Sequence, residues 1–221
     1  MRQGMWWDLL LPRRCHGCGR PGELLCRGCV AVAGGGRPQL YEPPVGAPRL
    51  FAAGGDHSGV LRAALLVHKS RHHEDTCRAL AGLLGRALAV VAAVLRAQGR
   101  WREPVCVVPL PPSKRRPARF PVVELLRPLV AAIPDLWLAR VLVAKRSRPQ
   151  QKGLDAAARA RNVESAFAVR RRSGRAPGTV LLVDDVVTTG ASVASACKVL
   201  TAAGWPPDAA IAVTYARVMR R

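Results

Sequence analysis

Residues 180–192 read Val-Leu-Leu-Val-Asp-Asp-Val-Val-Thr-Thr-Gly-Ala-Ser and predict a buried strand, a turn and the start of a helix. We expect the strand over Thr179–Val183 and the helix over Ser192–Ala203. The first turn of a helix offers unpaired N–H groups and the positive end of its dipole, so a monophosphate can bind there. Glycine allows a close backbone approach, and hydroxyls add donors. The predicted phosphate loop consists of Thr188, Thr189, Gly190, Ala191 and Ser192.

Two adjacent carboxylates, Asp184 and Asp185, stand directly before this turn. Carboxylates in that place can accept hydrogen bonds from ribose hydroxyls, and they can also hold Mg²⁺ directly or through water. Both roles stay open at this point, and Asp184 and Asp185 are the predicted catalytic residues. The competing interpretation is an ordinary strand–turn–helix in which the acidic and hydroxyl side chains only cap the helix.

The rest of the chain alternates between strand patterns and helix patterns. Helices are predicted from about Asp75 to Ala97 and over Pro121–Ile133, where proline takes the first position. Further strands are predicted over Leu50–Ala53, Val105–Leu110, Val141–Ala144 and Ala209–Thr214. Such alternation predicts an α/β fold, with a Rossmann-like parallel sheet flanked by helices.

Four cysteines form two pairs, Cys15-x-x-Cys18 and Cys26-x-x-Cys29, with seven residues between the pairs. Two such knuckles supply four thiolates to one centre, which suits tetrahedral Zn²⁺. Four protein ligands leave no open coordination position, so the zinc would be structural. The alternatives are an iron–sulfur cluster or two separate redox pairs. His16, inside the first knuckle, is expected to be exposed rather than a ligand.

Composition limits the classes of function. The chain has 221 residues, with 35 Lys and Arg against 14 Asp and Glu, and a net charge of +21. This excess favours a polyanionic ligand, although a coding bias towards arginine explains part of it. The apolar content of 49% excludes a disordered basic tail, and the 5% of aromatic residues is poor for base stacking. We expect a four-cysteine zinc module at 1–36, a Pro-rich linker at 37–48 and one larger domain at 49–221.

A cytoplasmic location without a membrane span is expected. The apolar stretch Met5–Leu11 lacks the features of an export signal. The longest apolar run, Ala79–Leu95, is shorter than the roughly 20 residues that a membrane span needs, and it predicts a buried helix. Seven cysteines, four of them crowded together, suit a reducing compartment and a metal better than disulfides.

The stretch Val180–Ser192 looks like the phosphoribosyl-pyrophosphate motif of type I phosphoribosyltransferases. With the two cysteine knuckles at the front, nearly the whole chain resembles the ComF family of competence-associated proteins. Val108-Pro109-Leu110-Pro111-Pro112 is similar to the family's V-P-x-P segment. The residues Gln151-x-Gly153-Leu154, Arg159-x-x-Asn162 and Ala166-Phe167 match the family's Q-x-x-L, R-x-x-N and A-F stretch.

The resemblance implies a phosphoribosyltransferase that binds phosphoribosyl pyrophosphate with Mg²⁺ and serves an unknown acceptor in DNA uptake. The phosphate loop would hold the 5′-phosphate, and Asp184 and Asp185 would align Mg²⁺. Pro109, Leu110 and Lys114 would face the pyrophosphate, and Gln151, Arg159 and Asn162 would lie on a mobile loop. Lys69 matches a basic residue of the family.

The resemblance leaves two functions open. Ala118-Arg119-Phe120-Pro121-Val122 stands where the family often has R-G-F-N-Q, so the glycine, the asparagine and the glutamine of that pattern are missing. If those residues contact pyrophosphate or acceptor in the family, this chain binds its substrate differently or does not catalyse the transfer. The alternative is a catalytically reduced protein with the same fold that binds single-stranded DNA or other competence proteins. A zinc module that reads nucleic acid alone would leave the phosphate loop unexplained.

Overall fold

The computed structural model describes residues 14–70, 73–112, 120–145, 166–170 and 176–216. In these residues the strands are β1 (Gln39–Tyr41), β2 (Phe51–Ala53), β3 (Val105–Pro109), β4 (Leu136–Leu138), β5 (Leu142–Ala144), β6 (Phe167–Val169), β7 (Val180–Val187) and β8 (Ala209–Tyr215). The helices are α1 (Arg27–Gly34), α2 (Gly59–Ser70), α3 (Glu74–Ala97), α4 (Pro121–Ala132) and α5 (Ala191–Ala202).

Six strands form one sheet in the order β1-β2-β8-β7-β3-β4. All neighbours in it are parallel except β1 and β2. One hydrophobic core, which includes Leu84 and Leu125, packs helices α2–α4 on one face, and another, which includes Leu200, packs α5 on the opposite face. The predicted α/β class, a mostly parallel sheet flanked by helices, is confirmed. Strands β5 and β6 form a separate antiparallel pair.

The chain reverses its winding direction between β3 and β7. It leaves β3 through α4 and returns in β4, whereas it leaves β7 through α5 and returns in β8 on the other side. The two exit loops therefore diverge at the carboxyl ends of β3 and β7. In open parallel sheets a crevice forms at such a reversal and binds the ligand. The residues after Pro109 and the residues around Asp184 meet there.

Helix α3 accounts for the longest apolar run. It starts at the N-cap His73, whose Nδ1 accepts a hydrogen bond from the Thr76 amide at 3.3 Å, and its buried face includes Leu80 and Val91. Among the described residues it is the one helix long and apolar enough to cross a membrane, but half of its most apolar window is buried inside the protein. A core helix of a soluble protein passes the same test of length and composition. Because one face of α3 is buried in the core, the prediction of a buried helix is confirmed.

Several elements differ from the sequence-based prediction. Strand β7 does not end before Asp184 but continues to Val187, because it pairs with β8 along this whole length, with Val186 opposite Thr214. Helices α1 and α2 and strands β1, β4 and β6 were not predicted. Three of these are strands of three residues, too short for a period of two to be recognised. The segment 37–48, predicted as a linker, contains β1.

Candidate functional site

The crevice at the sheet reversal is a cleft of about 430 Å³. Its polar lining includes Asp184 and Asp185 at the end of β7. Its apolar lining, which we call the apolar wall, includes Leu110, Phe120 and Phe167. A mostly apolar lining with a few polar groups is the usual composition of a small-molecule site.

Lys69 contacts the acidic pair from another part of the fold. It lies in the last turn of α2, and its Nζ is 2.9 Å from Asp185 Oδ1. The Asp185 side chain is 13% exposed and that of Lys69 41%. Successive side chains of a strand point to opposite faces, and Asp185 belongs to the face on which α2 packs. Only the family resemblance pointed to Lys69, because no local pattern connects it with a residue 116 positions away.

Asp184, which precedes Asp185 on β7 and lines the same cleft, has an unusual protonation state. Its Oδ1 accepts a hydrogen bond from the Asp185 amide at 2.8 Å. Burial raises the pKa of Asp184 to about 8, the charge of Asp185 adds to the shift, and Lys69 opposes it. Asp184 is therefore largely protonated at neutral pH, and a cation that binds its carboxylate must displace this proton.

A hydrogen-bonded chain supports the backbone of Asp185. The buried Thr214 hydroxyl donates to the Asp185 carbonyl at 3.5 Å and lies 3.0 Å from His57 Nδ1. Burial lowers the pKa of His57, and the positive charges of Arg62 and Lys69 lower it further. The nearby charge of Asp185 opposes this shift without cancelling it, so the neutral ring is favoured. Sequence analysis missed His57 and Thr214, because neither belongs to a recognisable motif.

The predicted phosphate loop forms a small hollow beside the cleft. The hollow measures about 40 Å³ and is lined by the turn from Asp184 to Val193. A water molecule needs at least 10–15 Å³ of such space, so the hollow has room for about one phosphate group. Thr189 Oγ1 accepts a hydrogen bond from the Ala191 amide at 3.4 Å, and the hydroxyl residues Thr188 and Ser192 are exposed. The structure thus brings the predicted loop residues together around one concave surface.

Gly190 is required for a reason that the sequence did not show. Its φ is 78°, in the left-handed region, and it immediately precedes α5. A Cβ on Gly190 would lie 2.0 Å from the Pro44 Cβ. The Pro-rich segment therefore packs directly against the back of the phosphate loop. Close approach to the phosphate was the expected reason, whereas the left-handed φ and the contact with Pro44 are the observed ones.

The residues predicted on the pyrophosphate side are only partly described. Pro109 is the buried last residue of β3, and Leu110 lines the cleft while its amide donates to the Val183 carbonyl at 2.8 Å. This hydrogen bond holds the loop after β3 against β7. Lys114, Gln151, Arg159 and Asn162, which were predicted to contact the substrate, lie outside the described residues.

The four predicted zinc ligands converge on one point. The sulfur atoms of Cys15, Cys18, Cys26 and Cys29 all lie within 4.8 Å of one another. Cys18 Sγ and Cys26 Sγ are 3.7 Å apart, and a tetrahedron with Zn–S bonds of about 2.3 Å has edges of about 3.8 Å. The cluster therefore fits a structural zinc ion. His16 is exposed, as expected for a residue that is not a ligand.

In the metal-free cluster the thiols of Cys15 and Cys29 have very different pKa values. Burial raises the pKa of Cys15, but backbone N–H groups, led by that of Cys26 at 3.3 Å, lower it to about 6. Burial and the neighbouring cysteines raise the pKa of Cys29 to about 12. Zinc binding must therefore release a proton from Cys29, so the affinity for zinc rises with pH.

The four-cysteine module is part of the main core. Cys15, Leu25 and Cys29 belong to the same buried cluster as the leucines of α3. Arg86 of α3 donates from Nη2 to the carbonyl of Gly34 and, at 3.0 Å, to that of Gly36. These bonds satisfy two carbonyl groups at and just after the end of α1, next to the cap in which the Gly35 amide donates to the Ala31 carbonyl. The module and the sheet are thus joined by packing as well as by the chain.

No protein-family model matches the chain, and the search of curated proteins found no match. Its function is therefore argued from the geometry of the cleft, the phosphate loop and the four-cysteine cluster.

Proposed function

We propose that the chain binds phosphoribosyl pyrophosphate in the cleft and transfers its phosphoribosyl group to an acceptor, as a ComF-like protein with a type I phosphoribosyltransferase fold. The observation that supports this best is the juxtaposition of two features at the sheet reversal. A hollow with room for one phosphate group adjoins a cleft that carries Asp184 and Asp185. A sugar with a terminal 5′-phosphate can place its phosphate in the hollow and its ribose against the carboxylates.

The acidic pair fits Mg²⁺ bound together with a substrate. Mg²⁺ sites in phosphate-transfer proteins use one or two carboxylates and complete the coordination with substrate phosphates and water. Asp184 and Asp185 are two such carboxylates, and both line the cleft. Mg²⁺ would neutralise charge on the departing pyrophosphate. If the metal does not bind, the same carboxylates still accept hydrogen bonds from the ribose hydroxyls.

The protein's part in the transfer is positioning. The bond from the anomeric carbon to pyrophosphate breaks with its electron pair leaving on pyrophosphate, and the acceptor supplies the pair for the new bond. The ribose between these states carries positive charge, and Asp184 and Asp185 are placed to stabilise it. Water would compete with the acceptor, and the apolar wall with Leu110, Phe120 and Phe167 limits its access. Loss of one contact to the developing charge typically costs about 3–4 kcal/mol.

The proposal is tested by calorimetric titration of phosphoribosyl pyrophosphate into zinc-loaded protein, with and without Mg²⁺. We expect magnesium-dependent binding that is abolished in the double variant Asp184→Asn/Asp185→Asn. The matched control is Glu74→Gln/Asp75→Asn, which neutralises another adjacent acidic pair at the exposed start of α3. The control should bind like the wild type. Normal binding by the Asp184→Asn/Asp185→Asn variant, or no binding by folded wild type, would refute the proposal.

The net charge of +21 supports a second candidate, binding of single-stranded DNA. DNA affinity would fall with salt, with a slope of about 0.7 for each phosphate neutralised on a single strand. The internal phosphates of a DNA strand are diesters and do not offer the terminal phosphate proposed for the hollow, so we expect a DNA surface elsewhere on the molecule. In a filter-binding assay, DNA binding should then survive in the Asp184→Asn/Asp185→Asn variant, whereas binding of phosphoribosyl pyrophosphate should not.

A further inference from the structure

Lys69 occupies the place of a cation beside the acidic pair. Its ammonium group lies 2.9 Å from Asp185 Oδ1, inside the cleft. Helix α2, which carries it, is anchored one residue earlier, where the buried His68 donates from Nε2 to the Pro121 carbonyl at 3.1 Å. The backbone of Lys69 is thereby held, whereas its side chain is 41% exposed and can change direction. A fixed backbone combined with a movable ammonium group suits a side chain that changes between two partners.

Mg²⁺ and this ammonium group compete for the same oxygen atoms. A divalent ion on the acidic pair would place two positive centres next to each other, and at such short distances the repulsion is strong in a partly buried site. Mg²⁺ must therefore displace Lys69 from Asp185. Phosphoribosyl pyrophosphate brings several negative charges into the cleft at the same time. The lysine side chain has a flexible four-carbon stem, so its ammonium can turn towards them.

We propose that Lys69 exchanges places with Mg²⁺: it neutralises Asp185 in the empty cleft and binds the pyrophosphate group of the ligand once Mg²⁺ holds the acidic pair. This inference rests on the proposed function, which it deepens by assigning a pyrophosphate contact to a residue of α2. It has a distinctive consequence. Removing the ammonium group must strengthen the binding of a metal ion alone and weaken the binding of the ligand with its metal, which are effects of opposite sign.

The test uses full-length, zinc-loaded protein with the variant Lys69→Met. Mn²⁺ serves as a spectroscopic probe for Mg²⁺, and the unbound ion is followed by electron paramagnetic resonance. We expect Lys69→Met to bind Mn²⁺ alone about two- to five-fold more tightly, which is the worth of a partly exposed ion pair. In calorimetry with Mg²⁺, we expect it to bind phosphoribosyl pyrophosphate about ten-fold more weakly or worse, the effect of losing a charged hydrogen bond.

Three further variants make the result specific. Lys69→Arg keeps a cation in place and should stay within a few-fold of the wild type in both measurements. Lys198→Met removes one positive charge from the exposed side of α5 and should change neither. Asp184→Asn/Asp185→Asn should abolish the Mn²⁺ signal of the cleft and so assigns it.

The outcomes separate this inference from the proposed function. If the wild type binds the ligand but Lys69→Met binds Mn²⁺ no more tightly, the exchange is wrong and the proposed function stands. The same holds if Lys69→Met binds the ligand as well as the wild type does. If both affinities fall together, Lys69 only supports the local structure and the exchange is again wrong. If folded wild type does not bind the ligand, both proposals fail.

Discussion

Gly17 and Gly28 occupy equivalent positions in the sequence, one inside each CxxC knuckle. Their surroundings are different. A Cβ on Gly17 would lie 2.7 Å from Cys29 Sγ, whereas a Cβ on Gly28 would meet nothing within 4 Å. Gly28 lies inside α1, where a regular helix already positions Cys29. Only Gly17 is therefore required by the metal cluster.

We predict opposite effects for the two alanine variants. Gly17→Ala should displace the Cys29 sulfur, lower the free energy of unfolding by about 1–3 kcal/mol and speed zinc release to a colorimetric chelator. Gly28→Ala should raise the free energy of unfolding by about 0.5–1 kcal/mol, because alanine is the better helix former, and should leave zinc release unchanged. Equal zinc release from both variants would show that the glycines serve the cluster alike.

Asp184 should make the stability of the magnesium-free protein depend on pH. Its pKa is raised from 3.8 to about 8 on folding, so the folded state holds a proton that the unfolded state has lost. The stability that this proton contributes is present at low pH and is lost as the pH rises towards about 8.

We predict that Asp184→Asn, which has no such proton to lose, gains stability relative to the wild type between about pH 5 and pH 8. The gain should be at most about 1.4 kcal/mol for each pH unit, and it should level off above this range. Urea denaturation of zinc-loaded protein in magnesium-free buffer measures it. A constant difference across these pH values would mean that Asp184 is already ionised.

The contact between the Pro-rich segment and the start of α5 places two distant elements against each other. Pro44 and Gly190 are far apart in the chain. A Cβ at position 190 would nevertheless overlap with the side chain of Pro44. The turn before α5 therefore depends on a segment that the sequence presents as a linker. Pro44 therefore packs against the phosphate loop at Gly190.

Gly190→Ala should destabilise the protein by about 2–4 kcal/mol, through the left-handed φ and the collision with Pro44. Adding Pro44→Gly removes the collision but not the backbone strain. In a double-mutant cycle by thermal unfolding, we expect the two changes to couple favourably by more than about 1 kcal/mol. Strict additivity would mean that Pro44 does not support the loop.

Strand β7 was predicted in part from the local sequence pattern. The hydrophobic run before Asp184 and the glycine-containing turn after it predicted a strand and a helix in the observed order. The predicted end of the strand at Val183 was wrong, because pairing with β8 extends β7 through both carboxylates. The contact of Asp185 with Lys69 at 2.9 Å likewise comes from packing and not from the local pattern.

For the molecule as a whole, the four-cysteine module should contribute to global stability rather than fold separately. Its buried residues Cys15 and Cys29 share a core with α3, and Arg86 connects that helix to the end of α1. A zinc ion bound only in the folded state stabilises the entire cooperative unit.

We predict that removal of zinc by a chelator lowers the Tm by about 10 °C or more and leaves a single unfolding transition. Differential scanning calorimetry before and after chelation, with zinc added back as the control, measures both. Two separate transitions in the loaded protein would show that the module unfolds independently.

The amino-acid sequence by itself determined the features that depend on neighbours in the chain. The CxxC spacings identify the four cysteines of a cluster that fits zinc, and the run from Val180 to Ser192 specifies a strand, an acidic pair and a helix start, because short-range hydrogen bonding and periodicity decide such structures. Strand order and packing decided the rest. They bring Lys69 to Asp185, Pro44 to Gly190 and Thr214 to the backbone of the acidic pair. These contacts join residues far apart in the chain, and they form only when the parallel strands and their covering helices pack together.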